Sequence, residues 1–356
     1  MNDHYYNLKV KEVIRETSDA ATIVFEQPAK ALEYKPGQFL TLLLTIDGEK
    51  VRRSYSLCTC PLVDSNPAVT VKTVAGGKVS GYLVNQTKPG DIIEVMEPKG
   101  TFTTELRDEN KRHILLFAGG SGITPMMAIT KFILYGEPNS IISLIYANRN
   151  ENTIIFKDKI EALQQEFPGR FNVVHVLDNV PINWQGPSGL LNPGTLQQIL
   201  AELPDWGAAH TQYLMCGPEG MMNNVEATLT GVGIEKKYIF KESFVAGIVN
   251  KKEVTEKVED LEASMKAHEV TVIYEGETHK FMVEPDKTIL ETALELDIDL
   301  PYSCQSGLCT ACRGKCLSGK VKLDEEEGLS EQELDEGYVL TCVGHPLTSD
   351  VVIEIG

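Results

Sequence analysis

Apolar residues fall in short runs over the first hundred positions, and turn signals cut them apart. The cuts are Tyr34-Lys-Pro-Gly37, Asp47-Gly48, Gly76-Gly77 and Lys88-Pro-Gly-Asp91. Asp47-Gly48 separates FLTLLLTI from KVRRSYSL, which is a strong hairpin signal. Regularly spaced strands of this kind predict a small antiparallel barrel or sandwich. From about residue 112 the rhythm changes. HILLFA (113–118), SLIYAN (143–148), FNVVHVL (171–177) and QYLMCG (212–217) read as strands. PMMAITKFIL (125–134) and IIFKDKIEALQQEF (154–167) read as helices between them. Strands separated by helices predict a parallel α/β sheet.

Residues 246–267 are polar and charged and read as a linker. Beyond them, EVTVIY (269–274) and HKFMVE (279–284) predict a hairpin around Glu275-Gly276. TILETALELD (288–297) puts Ile289, Ala293 and Leu296 on one helical face. The chain therefore divides into a β-domain at 1–108, an α/β domain at 109–245, the linker, and a small α+β domain at 268–356.

The length of 356 residues suits two or three domains, and 42% hydrophobic with 24% charged residues is ordinary globular material. No basic start followed by an apolar stretch opens the chain, and no apolar run approaches the roughly 18 residues of a membrane span. The expectation is a cytoplasmic protein with no membrane partner. Net charge is −18, and from Glu269 to Gly356 there are 19 Asp/Glu against 6 Lys/Arg. Such a surface repels phosphates, so no nucleic-acid partner is expected. It either steers a basic redox partner or simply keeps the chain in solution.

Four cysteines change the picture most. Cys304, Cys309, Cys312 and Cys342 are spaced C-x4-C-x2-C followed by a distant fourth, the plant-type 2Fe-2S pattern. Small residues such as Ser306, Gly307, Thr310, Ala311 and Gly314 crowd them, as a loop needs if backbone N–H groups are to approach sulfur. A disulfide framework suits a reducing compartment poorly. A zinc site would normally show paired CxxC knuckles, and there is one. Cys316 is a rival fourth ligand, but the long return to Cys342 belongs to the pattern, leaving Cys316 as a small packed hydrophobe.

Ala118-Gly-Gly-Ser-Gly-Ile-Thr-Pro125 follows a strand and opens a helix. Gly120 and Gly122 let the backbone approach a pyrophosphate, and Pro125 suits the first helical position. The alternative is a plain glycine-rich turn. Tyr146-Ala-Asn-Arg149 ends the next strand with a base where an NAD site places an acid, so Arg149 favours a 2′-phosphate and NADPH over NADH; otherwise it is a surface arginine. Cys216-Gly217 closes a later strand, where a small soft side chain can meet a nicotinamide; alone, Cys216 reads better as a buried structural cysteine. In Arg53-Ser-Tyr-Ser56, Arg53 can clamp a phosphate, Tyr55 can stack on a flat ring and Ser56 can hydrogen-bond a heteroatom.

The order of RSYSLCT (53–59), GGKVSGYL (76–83), AGGSGITPMM (118–127), YLMCGPEGMM (213–222) and KESF (241–244) resembles the ferredoxin–NADP reductase superfamily. PYSCQSGLCTAC…C resembles a fused plant-type ferredoxin. The likeness covers nearly all of the chain except the linker. It runs to the reductase components of multicomponent oxygenases, most of all those of phenylacetyl-CoA ring-epoxidising complexes. The resemblance implies a flavin-binding antiparallel β-barrel, an α/β nucleotide domain and a β-grasp ferredoxin domain. It implies FAD rather than FMN, held by Arg53, Tyr55 and Ser56, with its phosphates at Gly77, Lys78, Val79 and Ser80. Thr124 and Cys216 would lie where nicotinamide meets flavin, and Glu242 and Phe244 near the flavin ring. Cys304, Cys309, Cys312 and Cys342 would hold the 2Fe-2S cluster. The implied activity is electron transfer from NADPH or NADH, through FAD and the cluster, to a separate oxygenase component. Other acceptors, such as a diiron hydroxylase, a desaturase or a hybrid-cluster protein, fit the same residues, and a redox sensor fits them less well.

Overall fold

Asp47 and Gly48 both take positive φ, 53° and 84°, the backbone that a two-residue turn between right-twisted strands requires. They join β3 (Phe39–Ile46) to β4 (Glu49–Ser56). With β1 (Tyr5–Thr17), β2 (Ala20–Phe25), β5 (Ala68–Lys72) and β6 (Ile92–Met96), these strands form one antiparallel sheet ordered β4-β3-β6-β1-β2-β5. Its two edges meet. Leu57, just past β4, bridges Val69 of β5, and Cys58 N donates to Ala68 O at 2.9 Å. The sheet is thus closed into a barrel around Leu8, Ile23, Leu40, Leu42, Val69 and Val95, and closure removes its exposed edges. Helix α1 (Lys78–Asn85) follows β5.

This computed structural model describes residues 5–204, 206–207, 210–244, 266–285, 287–305, 307, 309–326 and 328–356. The expected linker falls outside the described residues apart from its last two. Two compact units are formed, Met1–Phe244 and Val245–Gly356. Among the described residues, no helix is long and apolar enough to cross a membrane.

The first unit continues with β7 (His113–Gly119), α2 (Ile123–Gly136), β8 (Ile141–Asn148), α3 (Lys157–Glu166), β9 (Phe171–Leu177), α4 (Pro193–Glu202), β10 (Thr211–Cys216), α5 (Glu219–Gly231) and β11 (Ile239–Glu242). The five strands are parallel, in the order β11-β10-β7-β8-β9. The strands are nearly continuous apolar runs because both faces are covered. Ile114, Leu116 and Ala118 face α2 and α3, while Leu115 and Phe117 face α4 and α5. Ala20, Cys58, Ala68 and Phe102 of the barrel segment join the α2–α3 core.

Three expectations need adjusting. Helix α3 begins at Lys157 rather than Ile154, because Phe156 takes a left-handed φ of 64° that no helix continues through. Pro125 is the third residue of α2, not the first; it is tolerated because first-turn N–H groups have no intrahelical acceptor anyway. Helices α4 and α5 and strand β11 are additions to the elements expected from sequence.

In the second unit, β12 (His268–Tyr274), β13 (Glu277–Val283), β14 (Arg313–Ser318), β16 (Tyr338–Leu340) and β18 (Val351–Ile355) form a sheet ordered β13-β12-β18-β14-β16. Only β12 and β18 in it run parallel. Two short strands, β15 (Val321–Leu323) and β17 (Gly344–Pro346), pair beside it. Helix α6 (Ile289–Glu295) opens on a reciprocal cap: Glu291 N donates to Thr288 Oγ1 (3.2 Å) and Thr288 N to Glu291 Oε2 (2.9 Å). Its buried face is Ile289, Leu290 and Ala293; Leu296 lies past its end and is exposed. A five-residue helix, α7 (Glu331–Asp335), precedes β16.

Candidate functional site

The chain runs from β7 outward to β8 and β9, then crosses back to β10 on the other side of β7. Ligands of open α/β sheets bind at the carboxyl ends of strands at such a switch point. Here the turns after β7 and β10 pack backbone against backbone. A Cβ on Gly217 would lie 2.9 Å from Gly119 Cα, and one on Gly122 would run into the carbonyl of Cys216. Only glycine permits this approach. Gly120 takes φ +52°, and its carbonyl accepts from Tyr146 Oη at 3.0 Å. The hydroxyl of buried Thr124 donates to Ser121 O at 3.0 Å, so it is committed to the turn. No side chain caps α2; the N–H of its first residue, Ile123, donates back to Gly120 O and Ser121 O in the turn, and Pro125 carries none.

Ala118, Cys216 and Glu242 stand side by side across β7, β10 and β11. Burial pushes the Cys216 thiol well up, and the neighbouring Glu242 carboxylate adds to it. Burial also pushes the Glu242 carboxyl up to about 8, against a smaller downward pull from Ser56. The structure thus brings Ser56, at the end of β4, to Cys216 and Glu242. Yet Ser56 Oγ and Glu242 Oε2 are both buried without a hydrogen-bond partner, so the two groups are neighbours that fall short of bonding geometry. Buried polar atoms are normally paired. Two left open in one place fit a polar flat ring bound between the barrel and the parallel sheet.

The remaining flavin candidates lie on the barrel segment, apart from Phe244, which follows β11. Tyr55 is half-buried against the barrel core, and burial pushes its hydroxyl up to about 12. Arg53 is exposed, and its Nη1 donates to Arg52 O at 2.7 Å. Gly77 precedes α1, whose start carries no side-chain cap. Lys78 Nζ pairs with Glu49 at 2.9 Å and Asp47 at 3.3 Å. Val79 packs into the barrel core, and Ser80 Oγ accepts from Val74 N at 3.0 Å. Val79 and Ser80 can therefore offer a phosphate only their backbone. Phe244 lies exposed two residues past Glu242.

Arg149 is exposed just past β8, with no ion pair among the described residues. Beside it, both amide atoms of buried Asn148 lack a hydrogen-bond partner, as does His175 Nδ1 on β9. Sequence reading singles out the arginine and passes over these two, because a buried unpaired amide leaves no mark in a sequence.

In the second unit, Thr341 N and Oγ1 both bond Cys312 O, at 3.1 and 3.2 Å, which ties the end of β16 to the cysteine loop. This brings Cys342 to Cys304 and Cys312, the two that also neighbour Cys309. Its thiol is pushed up by Cys304 and Cys312, and that of Cys309 by Cys304. Cys312 is lowered by its hydrogen bond to Cys342. None of the four is in a disulfide. Thiols that oppose one another's ionisation are the donor set a positively charged iron–sulfur group relieves. Among the described residues, no three His, Cys, Asp or Glu side chains close on a single-ion site. Cys316 stands apart on β14, its thiol donating to Ser318 O at 3.2 Å. Gly314 is also a strand residue, small because Ile353 of β18 packs on it rather than to make room for the ligands. Ser306 lies outside the described residues. His345 pairs with Asp324 at 3.1 Å.

Comparison with known proteins matches three segments of the chain. Residues 6–104 match the Oxidoreductase FAD-binding domain, 116–227 the Oxidoreductase NAD-binding domain and 272–347 the 2Fe-2S iron-sulfur cluster binding domain. The chain is 35% identical to a component of the 1,2-phenylacetyl-CoA epoxidase of Escherichia coli, covering 98% of this chain and 97% of that one. It is also 35% identical to the ferredoxin reductase component of 3-ketosteroid-9-alpha-monooxygenase of Rhodococcus rhodochrous, covering 98% and 96%. Phthalate dioxygenase reductase shares the fold, with TM-score 0.58 and 22% identity over 99% of this chain and 98% of that one. The chain belongs to the family of FAD- and NAD-binding oxidoreductases with a fused 2Fe-2S domain, whose members include the reductase components of oxygenases.

Proposed function

We propose that this oxidoreductase carries electrons from NADPH through FAD to a 2Fe-2S cluster and on to an oxygenase component that acts on phenylacetyl-CoA. The observation that supports it most is the meeting of Ser56, Cys216 and Glu242 at the switch point, with two buried polar atoms left open. When bound, a flavin accepts two electrons together from a reduced nicotinamide and releases them singly, as a one-electron cluster requires. The protein supplies no nucleophile. Glu242, raised to about 8, holds its proton at pH 7 and offers a neutral donor beside Ser56 Oγ. Cys216 stays a neutral thiol and presents soft, water-excluding surface. Arg53 and Lys78 would meet flavin phosphates together with the N–H groups of Val79 and Ser80, while Gly77, whose own N–H donates to Val74 O at 2.9 Å, would shape the turn beside them, and Tyr55 would lie against the ring. Gly120, Gly122, Thr124, Pro125 and Gly217 shape the pyrophosphate turn, Arg149 would meet a 2′-phosphate, and Phe244 would cover the ring's outer side. Cys304, Cys309, Cys312 and Cys342 would hold the cluster.

The same reading assigns 1–108 to flavin, 109–245 to the nucleotide, 246–267 to a linker and 268–356 to the cluster, in a cytoplasmic protein. The three matched segments lie inside those bounds. An equal 35% identity to a ketosteroid monooxygenase reductase favours a second reading, delivery to a different oxygenase. Affinity capture of the acceptor, followed by NADPH consumption with phenylacetyl-CoA added, separates the two. Coupled turnover supports the first. A captured oxygenase that ignores phenylacetyl-CoA supports the second.

A further inference from the structure

The barrel reaches the parallel-sheet half of its unit partly through an apolar seam in which Ala20, Cys58, Ala68 and Phe102 join the core around α2 and α3. Apolar contact is non-directional. It resists separation but does little against sliding, and three of the four barrel residues are small. Two ion pairs cross the same seam. Lys131 Nζ on α2 lies 2.8 Å from both carboxylate oxygens of Asp64. Lys159 Nζ on α3 lies 2.7 Å from Glu16 Oε1.

Each carboxylate is also anchored on its own side. Asp64 Oδ2 accepts from Cys60 N at 2.7 Å, and Glu16 Oε1 accepts from Thr22 Oγ1 at 2.7 Å. The anchors matter because of what they carry. Cys60 lies four residues beyond Ser56 on the same chain segment. Helix α2 begins at the Gly120–Gly122 turn, and α3 follows the loop that holds Arg149. Glu16 lies close enough to Tyr146 for its charge to oppose ionisation of that hydroxyl, the group that bonds Gly120 O. Asp64 and Glu16 are largely shielded, 24% and 7% exposed, as is Lys131 at 17%. A shielded pair with further hydrogen bonds is far more directional than a solvated one.

We propose that Asp64–Lys131 and Glu16–Lys159 form a bracket of positioning residues, which fixes the flavin-bearing barrel against the two nucleotide-bearing helices at the geometry electron transfer between the two cofactors requires. The inference rests on the flavin and nucleotide sites assigned above. The four residues act by holding Ser56 and the glycine turn in register.

The test is anaerobic stopped-flow reduction of the flavin by NADPH in the full-length protein, wild type against Lys131→Gln, Lys159→Gln and the double variant. A misplacement of about an ångström is enough to cost up to ~100-fold, so the double variant is expected to lose roughly tenfold or more in limiting rate. Flavin content and the half-saturating NADPH concentration stay near wild type, and Lys131→Arg restores most of the rate. Variants that melt at lower temperature yet bleach flavin at the wild-type limiting rate would overturn the proposal, because the pairs would then serve stability alone. If Lys131→Gln does not retain flavin, the more exposed Lys159→Gln decides by the same two outcomes. Failure of the underlying site assignment looks different: the wild-type flavin would then bleach with neither NADPH nor NADH.

Discussion

The cysteine loop of the second unit and the switch point of the first solve the same problem by opposite means. The loop gathers four identical side chains, three of them within nine positions of the chain, and one pair of hydrogen bonds from Thr341 to Cys312 brings in the fourth. The switch point gathers Ser56, Cys216 and Glu242 from three strands: register pairs Cys216 with Glu242, and packing of the barrel on the parallel sheet brings in Ser56. A site made of local side chains tolerates change in its surroundings and fails outright when one ligand is lost. A site made of register fails by degrees, through backbone that shifts by tenths of an ångström.

The largest effect therefore belongs to a ligand. Cys342→Ser is expected to abolish the visible and electron-paramagnetic signals of the cluster, whereas Cys316→Ser leaves both in place. The opposite result would move the fourth ligand to β14. Next comes backbone. In Gly122→Ala the new methyl group meets the Cys216 carbonyl, so the two turns must separate. Flavin reduction by NADPH should then fall by up to ~100-fold with flavin still bound, as stopped-flow absorbance will report. A third effect is smaller. Arg149→Ala removes at most one charge-assisted contact, worth about tenfold in kcat/KM for NADPH, and should leave NADH unchanged. Equal loss with both nucleotides would return Arg149 to the surface.

The smallest effect concerns Glu242. Its carboxyl is raised in the folded protein from an ordinary 4.5 to about 8. Below pH 4.5 it is protonated in both folded and unfolded chains and costs nothing. As pH rises from 4.5 to about 8 the unfolded chain ionises first, so the folded state loses stability, and above 8 the full penalty remains. Glu242→Gln should raise the thermal midpoint of the flavin-free protein at pH 8.5 by a few degrees, on the order expected for a buried group, and match wild type at pH 4.5. A gain at acid pH instead would reverse the assigned sign.

These contrasts also explain what was legible in the amino-acid sequence. The cysteine pattern stands out in it, because spacing within one loop is local chemistry. The Asp47-Gly48 hairpin and the alternation of β7, α2, β8, α3 and β9 were legible, because turn residues and apolar period are local too, whereas α4, α5 and β11 were not. The glycine turn after β7 is recognisable, but not the reason for Gly122, which is the carbonyl of a residue almost a hundred positions away. Gly314 reads as cluster crowding, yet Ile353 across the sheet sets its size. Phe156 gives no sign in sequence of its left-handed backbone. Lys131 and Lys159 look like ordinary charges on helix surfaces until Asp64 and Glu16 are placed opposite them. Chemistry carried by spacing can be read from one segment; chemistry carried by register or by packing between distant segments cannot.

The central claim is that electrons leave through the cysteine-held cluster after entering at the Ser56–Cys216–Glu242 site. The direct test is NADPH-driven reduction of cytochrome c by Cys342→Ser, with flavin bleaching followed in the same sample. The account predicts that flavin bleaches at the wild-type rate while cytochrome c reduction falls to background. Cytochrome c reduced at the wild-type rate without a cluster would contradict it.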